Sequence, residues 1–480
     1  MSKHQITTNV RALIIAGVII ISAASGYAQN FDFSRLEKQA KAFSVIIDMD
    51  IEISFGMQST TEKERYLGTI VTSDGLVIFN GTALDVAGSL ATLSGFNVKT
   101  SPKRIDIETM SGKKYTGEYI GVDRYTNIGF IKITNPSNDK FTPVSFAPRF
   151  APRIGSWVAL YMLLPDFVSP SLMADIGMVS TIVTSPETFP LTVGFGPMMM
   201  TSVIFDDAHR PVGVLGSVLD PSSGGSEIGN FDDSHSDFQF PLLGVITADR
   251  IAKLVADPPR QGTNPRGWLG ITLQAVTKDL AEYWGLPIEG GIVVGDVAKN
   301  SPGARAGLQV GDIIHAVNGH PVEVDKEEKI PIFQRMISDL GPGTKVEFGI
   351  FRPGQSGADS LSIEALLEQA PLTARDASEH KSESLEFSCR NLVFSDLNSY
   401  NLDPETFKGV VVSELTQGGV TDIGGLNLGD VIQRIGNETV TNIGEAKVAL
   451  EKVTAEKPKE VVFFVWRDRK TMFVNVKVSW

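Results

Sequence analysis

The stretch that decides the fold of the C-terminal half is Ala306-Gly307-Leu308-Gln309-Val310-Gly311-Asp312-Ile313-Ile314-His315-Ala316-Val317-Asn318-Gly319, which returns without a gap as Gly424-Gly425-Leu426-Asn427-Leu428-Gly429-Asp430-Val431-Ile432-Gln433-Arg434-Ile435-Gly436-Asn437. Each copy follows a run of β-type residues and precedes a helix-like segment, at 330–340 and 443–453. A duplication of this kind predicts two copies of one small domain. Within each copy the glycines permit a tight turn, and the aspartate can accept hydrogen bonds from turn amides.

Short β-type runs separated by turn residues fill the N-terminal half of the chain. Examples are the runs 67–71, 76–79 and 128–133, and Ser73-Asp74-Gly75 and Ser111-Gly112-Lys113 are typical of hairpin turns. Such spacing predicts a β-barrel or a β-sandwich.

Two polar segments indicate where the domains are joined. One contains several prolines and covers 258–266, and the other is rich in Ala, Ser, Glu and Lys and covers 371–384. We therefore expect a β domain over 29–257, a first repeat domain over 267–370 and a second repeat domain over 385–480.

Residues 1–28 have the features of a signal peptide. Lys3 and Arg11 supply positive charge, 12–24 is uncharged and mostly apolar, and small residues flank Tyr27 just before Gln29. The apolar run is shorter than the roughly 20 residues that a membrane span needs. We expect export with cleavage of this segment, and an uncleaved N-terminal membrane anchor is the alternative.

Composition excludes several classes of function. A net charge of −13 makes the chain a poor partner for a phosphate backbone, so nucleic acid is not expected. Cys389 is the only cysteine, which excludes an internal disulfide and predicts a buried small apolar residue. Neither zinc-type histidine spacing nor a P-loop lysine is present, so no metal and no cofactor are expected. Asp48, Asp50 and Glu52 alternate with apolar residues, which favours the solvated face of a strand over a metal site.

The repeated Gly-Leu-x-x-Gly-Asp-x-Ile pattern, which Asn-Gly follows in the first copy, resembles the PDZ domains of the HtrA/Do family. PDZ domains bind an extended peptide as an added strand and hold its C-terminal carboxylate in a nest of backbone amides. The resemblance implies that this loop in the first copy is Gly267-Trp268-Leu269-Gly270-Ile271, and that Trp268, Leu269, Gly270 and Ile271 bind peptide.

In the second copy, the resemblance places Asn391 and Leu392 where the first copy has Gly270 and Ile271. Asparagine tolerates positive φ but adds a side chain beside the nest. Peptide binding by the second copy is therefore left open, and for both copies the alternative is that these segments are packing strands only.

The N-terminal half resembles the trypsin-like domain of the same family. Residues 68–80 resemble the strands that lead to the catalytic histidine, and Thr82 stands at its position. Residues 121–132 resemble the segment with the catalytic aspartate, and Asn127 stands at its position. The fold class that the resemblance implies is mainly β, a trypsin-like double β-barrel followed by two PDZ-like α+β domains.

The nucleophile of the family is also replaced. Counting back from the strand at 210–214 puts Met200 at the serine position, with Thr201 and Ser202 in place of two glycines. The three methionines Met198 to Met200 either fill the former active-site cleft or line an adaptable apolar surface. No catalytic residue is therefore assigned to this chain.

The distribution of histidines along the chain also opposes a trypsin-like mechanism. A trypsin-like mechanism needs a histidine base ahead of the nucleophile in the chain, and no histidine occurs between His4 and His209. The segment around Ser223 resembles a nucleophile motif and has His209 and His235 nearby, but nothing places a base and a carboxylate in the required order, so we interpret it as a loop.

These features favour an exported, non-catalytic relative of HtrA/Do proteases that binds unfolded segments or C-termini of exported proteins, with the barrel domain as scaffold, chaperone or regulator. The rival hypothesis is an active serine endopeptidase of protein quality control that uses non-standard residues. A third is a subunit that modulates an active paralogue. Family members form trimers, so the resemblance also implies a homo-oligomer.

Overall fold

The computed structural model describes residues 31–55, 58–84, 98–123, 125–136, 139–169, 171–184, 188–218, 242–260, 266–354, 357–374, 376–400 and 402–480. The predicted signal peptide at 1–28 lies outside these residues. In the described part of the chain, no helix is long and apolar enough to span a membrane.

Six strands close the first barrel in the order β1-β2-β3-β6-β5-β4. They are β1 (Ser44–Phe55), β2 (Gln58–Ile70), β3 (Leu76–Asn80), β4 (Val98–Thr109), β5 (Lys114–Asp123) and β6 (Ile128–Ile133). The alternation predicted for β1 is confirmed, because Met49 and Ile51 are buried while Asp48 is exposed and pairs with Arg65. Alternate side chains along the strand thus face the barrel interior and the solvent.

Six further strands close the second barrel in the order β10-β11-β12-β9-β8-β7. They are β7 (Trp157–Leu163), β8 (Leu172–Val183), β9 (Phe189–Val193), β10 (Val203–Asp206), β11 (Pro211–Val218) and β12 (Leu242–Thr247). Helix α1 (Phe33–Phe43) precedes the barrels, and helix α2 (Ala248–Ala256) follows them. Leu36 and Phe43 of α1 join one apolar core with Phe130 of the first barrel and Phe205 of the second, which holds the two barrels together.

The first repeat domain is a sheet in the order β14-β15-β16-β18-β19, with β17 paired to β16 and a separate pair of β13 with β20. Its elements are β13 (Gly267–Trp268), β14 (Ile271–Ala275), α3 (Lys278–Tyr283), β15 (Ile292–Val297), α4 (Pro302–Ala306), β16 (Ile313–Val317), β17 (His320–Pro321), α5 (Ile330–Leu340), β18 (Lys345–Gly354), β19 (Gly357–Leu366) and β20 (Glu368–Gln369). Ser301 caps α4 through a bond from the Ala304 amide (3.1 Å), as Ser-Pro at this position predicts.

The second repeat domain has the sheet order β21-β22-β23-β24-β26-β27, with β25 paired to β24. Its elements are β21 (Glu379–Ser382), β22 (Phe387–Asn391), α6 (Phe394–Asn398), β23 (Val410–Leu415), α7 (Val420–Ile423), β24 (Val431–Ile435), β25 (Glu438–Thr439), α8 (Ile443–Glu456), β26 (Glu460–Arg467) and β27 (Lys470–Lys477). Strand β21 comes from the segment for which the sequence predicted a linker. The predicted fold class, a double barrel followed by two α+β domains, is confirmed.

The repeated aspartate organises the same turn in both repeat domains. Asp312 accepts from the Gln309 amide at 2.8 Å, and Asp430 accepts from the Asn427 amide at 2.9 Å, as predicted. Both carboxylates are buried, and each also forms an ion pair that the sequence analysis missed: Arg352 Nε lies 2.7 Å from Asp312 Oδ1, and Arg467 Nε lies 2.6 Å from Asp430 Oδ1.

Each of these arginines also bonds the turn backbone. Arg352 donates to the carbonyl of Gly307 at 2.9 Å, and Arg467 donates to the carbonyl of Gly425 at 2.8 Å. The neighbouring carboxylates raise the pKa values of both guanidinium groups. One buried carboxylate and one arginine therefore fasten the glycine turn to a distant strand in each domain.

We expect Asp430→Ala to lower the free energy of unfolding of the second repeat domain by about 3 kcal/mol, because it leaves the Arg467 charge and the Asn427 amide without their acceptor. The measurement is the urea midpoint at which the thiol of Cys389, buried in this domain, becomes reactive. Glu438→Gln is the matched control, because its ion pair with Lys452 is half exposed to solvent and therefore contributes little to stability. Equal midpoints for the two variants would contradict the assignment.

Candidate functional site

The position of the family histidine is occupied by a hydroxyl that is already engaged. Thr82 follows β3, and its side-chain Oγ1 donates to Asn80 Oδ1 at 2.6 Å. The Thr82 amide donates to the same oxygen at 3.1 Å. Both bonds of Thr82 thus go to the Asn80 side chain, and neither residue has a group that could accept a proton at neutral pH.

The position of the family aspartate is a buried amide side chain. Asn127 is 8% exposed and has a φ of +54°, a conformation that asparagine tolerates. Asp123, at the end of β5, fixes this turn by accepting from the amide (3.0 Å) and the hydroxyl (2.7 Å) of Thr126. The Gly81 amide donates to the Asn127 carbonyl at 2.8 Å, so the structure brings the segments of Thr82 and Asn127 together.

The loop at the nucleophile position folds into a 3-10 turn at Pro197–Met199. Met198 is exposed, whereas Met199 and Met200 are half-buried and pack against the core of the second barrel. Thr201 and Ser202 are buried, at 3% and 4% exposure. The hydroxyl nearest the expected position is therefore not presented to solvent.

The backbone amides of the same loop donate to carbonyl groups within the barrel domain. The amides of residues 199 to 202 donate in turn to the carbonyls of Gly196 (3.0 Å), Pro197 (3.2 Å), Leu215 (2.7 Å) and Met199 (3.1 Å). An oxyanion hole needs backbone N–H groups that point at the reacting carbonyl oxygen. None of these four amides is available for that role in the described structure.

The histidine that is nearest in sequence to this loop, His209, has a structural role. His209 lies on the turn between β10 and β11, and its Nε2 accepts from the Asp32 amide at 2.7 Å. Phe31 packs edge-on against the same ring. This imidazole thus fastens the segment before α1 to the second barrel. Ser223 and His235, which form the second nucleophile-like motif, lie outside the described residues.

The predicted peptide-binding loop of the first repeat domain has the geometry of an amide nest. The carbonyl of Leu269 accepts from the Gly303 amide at 2.8 Å, and the carbonyl of Gly270 accepts from the Ala298 amide at 2.9 Å. Because C=O and N–H point in opposite directions across a trans peptide, the amides of Gly270 and Ile271 point away from Gly303 and Ala298, and Gly270 itself is buried. Gly270 has a φ of +78°, which permits this arrangement.

The loop opens onto an edge strand. β14 begins at Ile271, and within the described residues it pairs only with β15. Its last amide, that of Ala275, donates to Glu327 Oε1 at 3.0 Å. Trp268 lies beside the loop and packs edge-on against Phe394 of the second repeat domain, with ring centroids 5.1 Å apart.

The structure gives a different equivalence for the second copy, and the one drawn from the sequence is wrong. Asn391 pairs with Val410 as Ala275 pairs with Ile292, so Asn391 matches Ala275 and not Gly270. The equivalent of Gly270 is Glu386, whose carbonyl accepts from Thr416 (3.0 Å) and whose φ is +56°. The sequence reading failed because a glutamate in a left-handed conformation does not resemble the family's glycine loop.

Asn391 and Leu392 instead line a cavity of about 440 Å³ at the end of β22 that is distant from Glu386. The side-chain Oδ1 of Asn391 accepts from the Ile443 amide at 2.7 Å, at the start of α8. The side chain of Asn391 therefore positions this helix. The backbone amide of Asn391 donates to the carbonyl of Ser378 and is not part of a carboxylate nest.

Cys389 lies in the core of the second repeat domain, and the prediction of a buried apolar role is confirmed. Burial raises the pKa of its thiol to about 12. Among the described residues, no group of three or more His, Cys, Asp and Glu side chains could hold a metal ion.

We expect no reaction of Cys389 with Ellman's reagent in the native chain at pH 8, because a thiol of pKa about 12 is ionised there only to the order of 10⁻⁴ and is shielded from the reagent. In guanidinium chloride one thiol per chain should react within minutes. Stoichiometric reaction of the native chain would contradict the burial of this side chain.

Comparisons with known proteins agree with this architecture. Family models described as PDZ domain match residues 293–348 and 397–462. The relative called "Probable periplasmic serine endoprotease DegP-like" from Brucella suis biovar 1 (strain 1330) is 23% identical over 419 residues, which cover 86% of this chain and 73% of the relative. The relative of the same description from Pseudomonas putida (strain GB-1) is 25% identical over 420 residues, covering 86% and 78%.

A solved structure, an HtrA-type protease with decapeptide, matches with a TM-score of 0.51 and 17% identity, covering 72% of this chain and 99% of that chain. This likeness concerns the fold. Because two PDZ domains follow a trypsin-like double barrel, and because DegP-like relatives match 86% of the length of this chain, the predicted resemblance to the HtrA/Do family is confirmed.

Proposed function

We propose that this chain is a non-catalytic member of the HtrA/Do family that binds C-termini or unfolded segments of exported proteins through its first PDZ domain. The signal-peptide features of 1–28 and the periplasmic description of the relatives support a location in the periplasm. The observation that carries the proposal is an amide nest beside a sheet edge, on a domain whose partner barrel offers, among its described residues, no proton acceptor where a protease needs one.

The chemistry of the barrel loops supports the loss of catalysis. Acyl transfer to serine needs a base, a group that orients the base, and donors for the oxyanion. Here the hydroxyl of Thr82 is bonded to Asn80, the orienting carboxylate is replaced by the amide of Asn127, and the amide of Met200 is donated to Pro197. Loss of the base alone costs several orders of magnitude in rate.

The nest and the edge of β14 support peptide binding. An extended peptide can add to the unpaired edge of β14, and its C-terminal carboxylate can accept from the amides of Gly270 and Ile271. The structural relative solved with a decapeptide has the same fold. Ile271 is partly buried and supplies apolar surface at the carboxylate end of this groove, whereas Leu269 belongs to the domain core.

The barrel domain can serve as scaffold or regulator because it holds the first PDZ domain. The guanidinium groups of Arg266 and Arg335 lie 3.9 and 5.3 Å from the ring centroid of Tyr125, two residues before Asn127. Arg250 of α2 binds Asp339 of α5 at 3.0 Å. The loop of the former catalytic aspartate thus supports the helix that flanks the peptide groove.

We expect the purified chain from Gln29 onward to leave casein and unfolded substrates intact and to stay unlabelled by a fluorophosphonate, because no described hydroxyl near Met200 has a base. Trypsin is the positive control, and the Ser202→Ala/Ser223→Ala double variant measures background labelling. Labelling at Ser202 or Ser223 that this variant loses would establish the rival function, an active endopeptidase. Cleavage that appears only with a co-purified paralogue would favour a regulatory subunit.

We expect Gly270→Ala to weaken binding of a fluorescent decapeptide with an apolar, free C-terminus by at least about 10-fold in fluorescence anisotropy. A Cβ at Gly270 would lie 2.3 Å from Ser301 Cβ, so the loop must move and the nest is lost. Gly285→Ala is the matched control, since Gly285 also has positive φ (+63°) but meets no atom within 4 Å. Equal binding by the two variants, or by the amidated decapeptide, would refute the nest.

A further inference from the structure

The two repeat domains differ at the edge where a PDZ ligand adds. In the first domain the sheet ends at β14. In the second domain the equivalent strand β22 has a further partner, β21, with Glu379 opposite Arg390 and Ser382 opposite Phe387. A strand of this chain therefore occupies the edge that β14 leaves unpaired among the described residues.

The β22 amides that bond to β21 are the counterparts of the β14 amides that would bind an added peptide strand. The Asn391 amide donates to the carbonyl of Ser378 at 3.0 Å, whereas its counterpart Ala275 donates to a side chain. In an antiparallel ladder, bonded pairs alternate along the strands. The bonded pairs that follow are His380 with Cys389 and Ser382 with Phe387, so the amide of Phe387, the counterpart of Ile271, is used by β21.

Strand β21 also lies along the helix that closes the groove. Burial and the nearby Lys447 lower the pKa of His380, which places this imidazole next to α8. Ser384 Oγ lies 2.9 Å from Thr454 Oγ1, further along the same helix. β21 thus runs antiparallel to β22 and in the direction of α8, between the two elements that hold a peptide in a PDZ groove.

The turn after β21 occupies the place of the ligand carboxylate. A bound peptide would end at the loop that precedes β22, but here the chain continues from Ser382 through residues 383–386 into Phe387. The carboxylate of Glu386 accepts from the Val420 amide at 2.8 Å, which fastens the turn to α7. A free C-terminus therefore cannot reach this loop while β21 is in place.

We propose that β21 is a built-in ligand of the second PDZ domain, and that this groove accepts an external extended segment only when β21 withdraws. The inference rests on the proposed function, in which the first groove binds peptide. With the second groove filled by β21, each chain then binds one external peptide. A tethered segment competes at an effective concentration on the order of 1 mM, which excludes external peptides present at micromolar concentration.

The test uses the full chain from Gln29 and hydrogen exchange of the β22 segment 387–391. His380→Pro removes an amide that donates to β22, and we expect exchange in this segment to rise at least about 10-fold. Lys381→Pro is the matched control, because Lys381 belongs to a pair without ladder bonds and an edge strand tolerates proline there. We expect it to change exchange less than about 3-fold.

The probe is a synthetic peptide of residues 376–382 with a free C-terminus. At about 1 mM, matching the tethered concentration, it should restore protection of 387–391 in His380→Pro and leave the unsubstituted chain unchanged. Unreactive Cys389 shows that the variant is folded; if it is not, the His380→Gly/Lys381→Gly variant replaces it.

Fast exchange of 387–391 in the unsubstituted chain, or failure of the peptide to protect the opened variant, would overturn the proposal. Decapeptide binding that depends on Gly270 reports separately on the first groove. The proposed function and this inference can therefore fail independently.

Discussion

The outer edge of the first strand in each PDZ sheet carries backbone N–H and C=O groups that must pair with something, and the two domains satisfy them differently. In the first domain the carbonyls of Leu269 and Gly270 turn inward, so the following amides face out at the start of β14. In the second domain the same edge is covered by β21. Among the described residues, the edge strand is therefore uncovered in one copy of the duplicated fold and covered in the other, and the difference lies upstream of the repeated motif.

The two barrels have the trypsin-like fold, and their packing does not depend on the residues at the proposed triad positions. The interior is built from apolar side chains that do not include the triad positions, and α1 joins both barrels in one core. The loops that carry Thr82, Asn127 and Met200, the residues proposed to stand at the triad positions, are held by their own hydrogen bonds. Asn80 holds Thr82, Asp123 holds the turn before Asn127, and a 3-10 turn holds Met200.

The contacts between domains reuse surfaces near the former site. Tyr125, beside Asn127, packs under arginines from the first PDZ domain, and Trp268 beside the peptide loop packs on Phe394 of the second. Ligand binding at the first groove would therefore act on residues that touch both neighbours. This arrangement suits a protein whose barrel supports and positions its binding domains.

The hairpin turns and the alternation in β1 predicted a β-barrel or β-sandwich, and the repeated motif predicted two copies of one small domain, because turn chemistry and side-chain period are local properties of the chain. The double barrel and the PDZ-like fold were implied by the family resemblance. The lack of a histidine between His4 and His209 can likewise be read from the sequence alone. The partners of Asp312 and Asp430, the inward amides around Met200 and the role of Glu386 were decided only by the tertiary structure. Each depends on groups far apart in sequence, or on a glutamate held at positive φ by its surroundings. Strand β21 shows the same limit, since a short polar segment becomes a strand only when a neighbouring edge pairs with it.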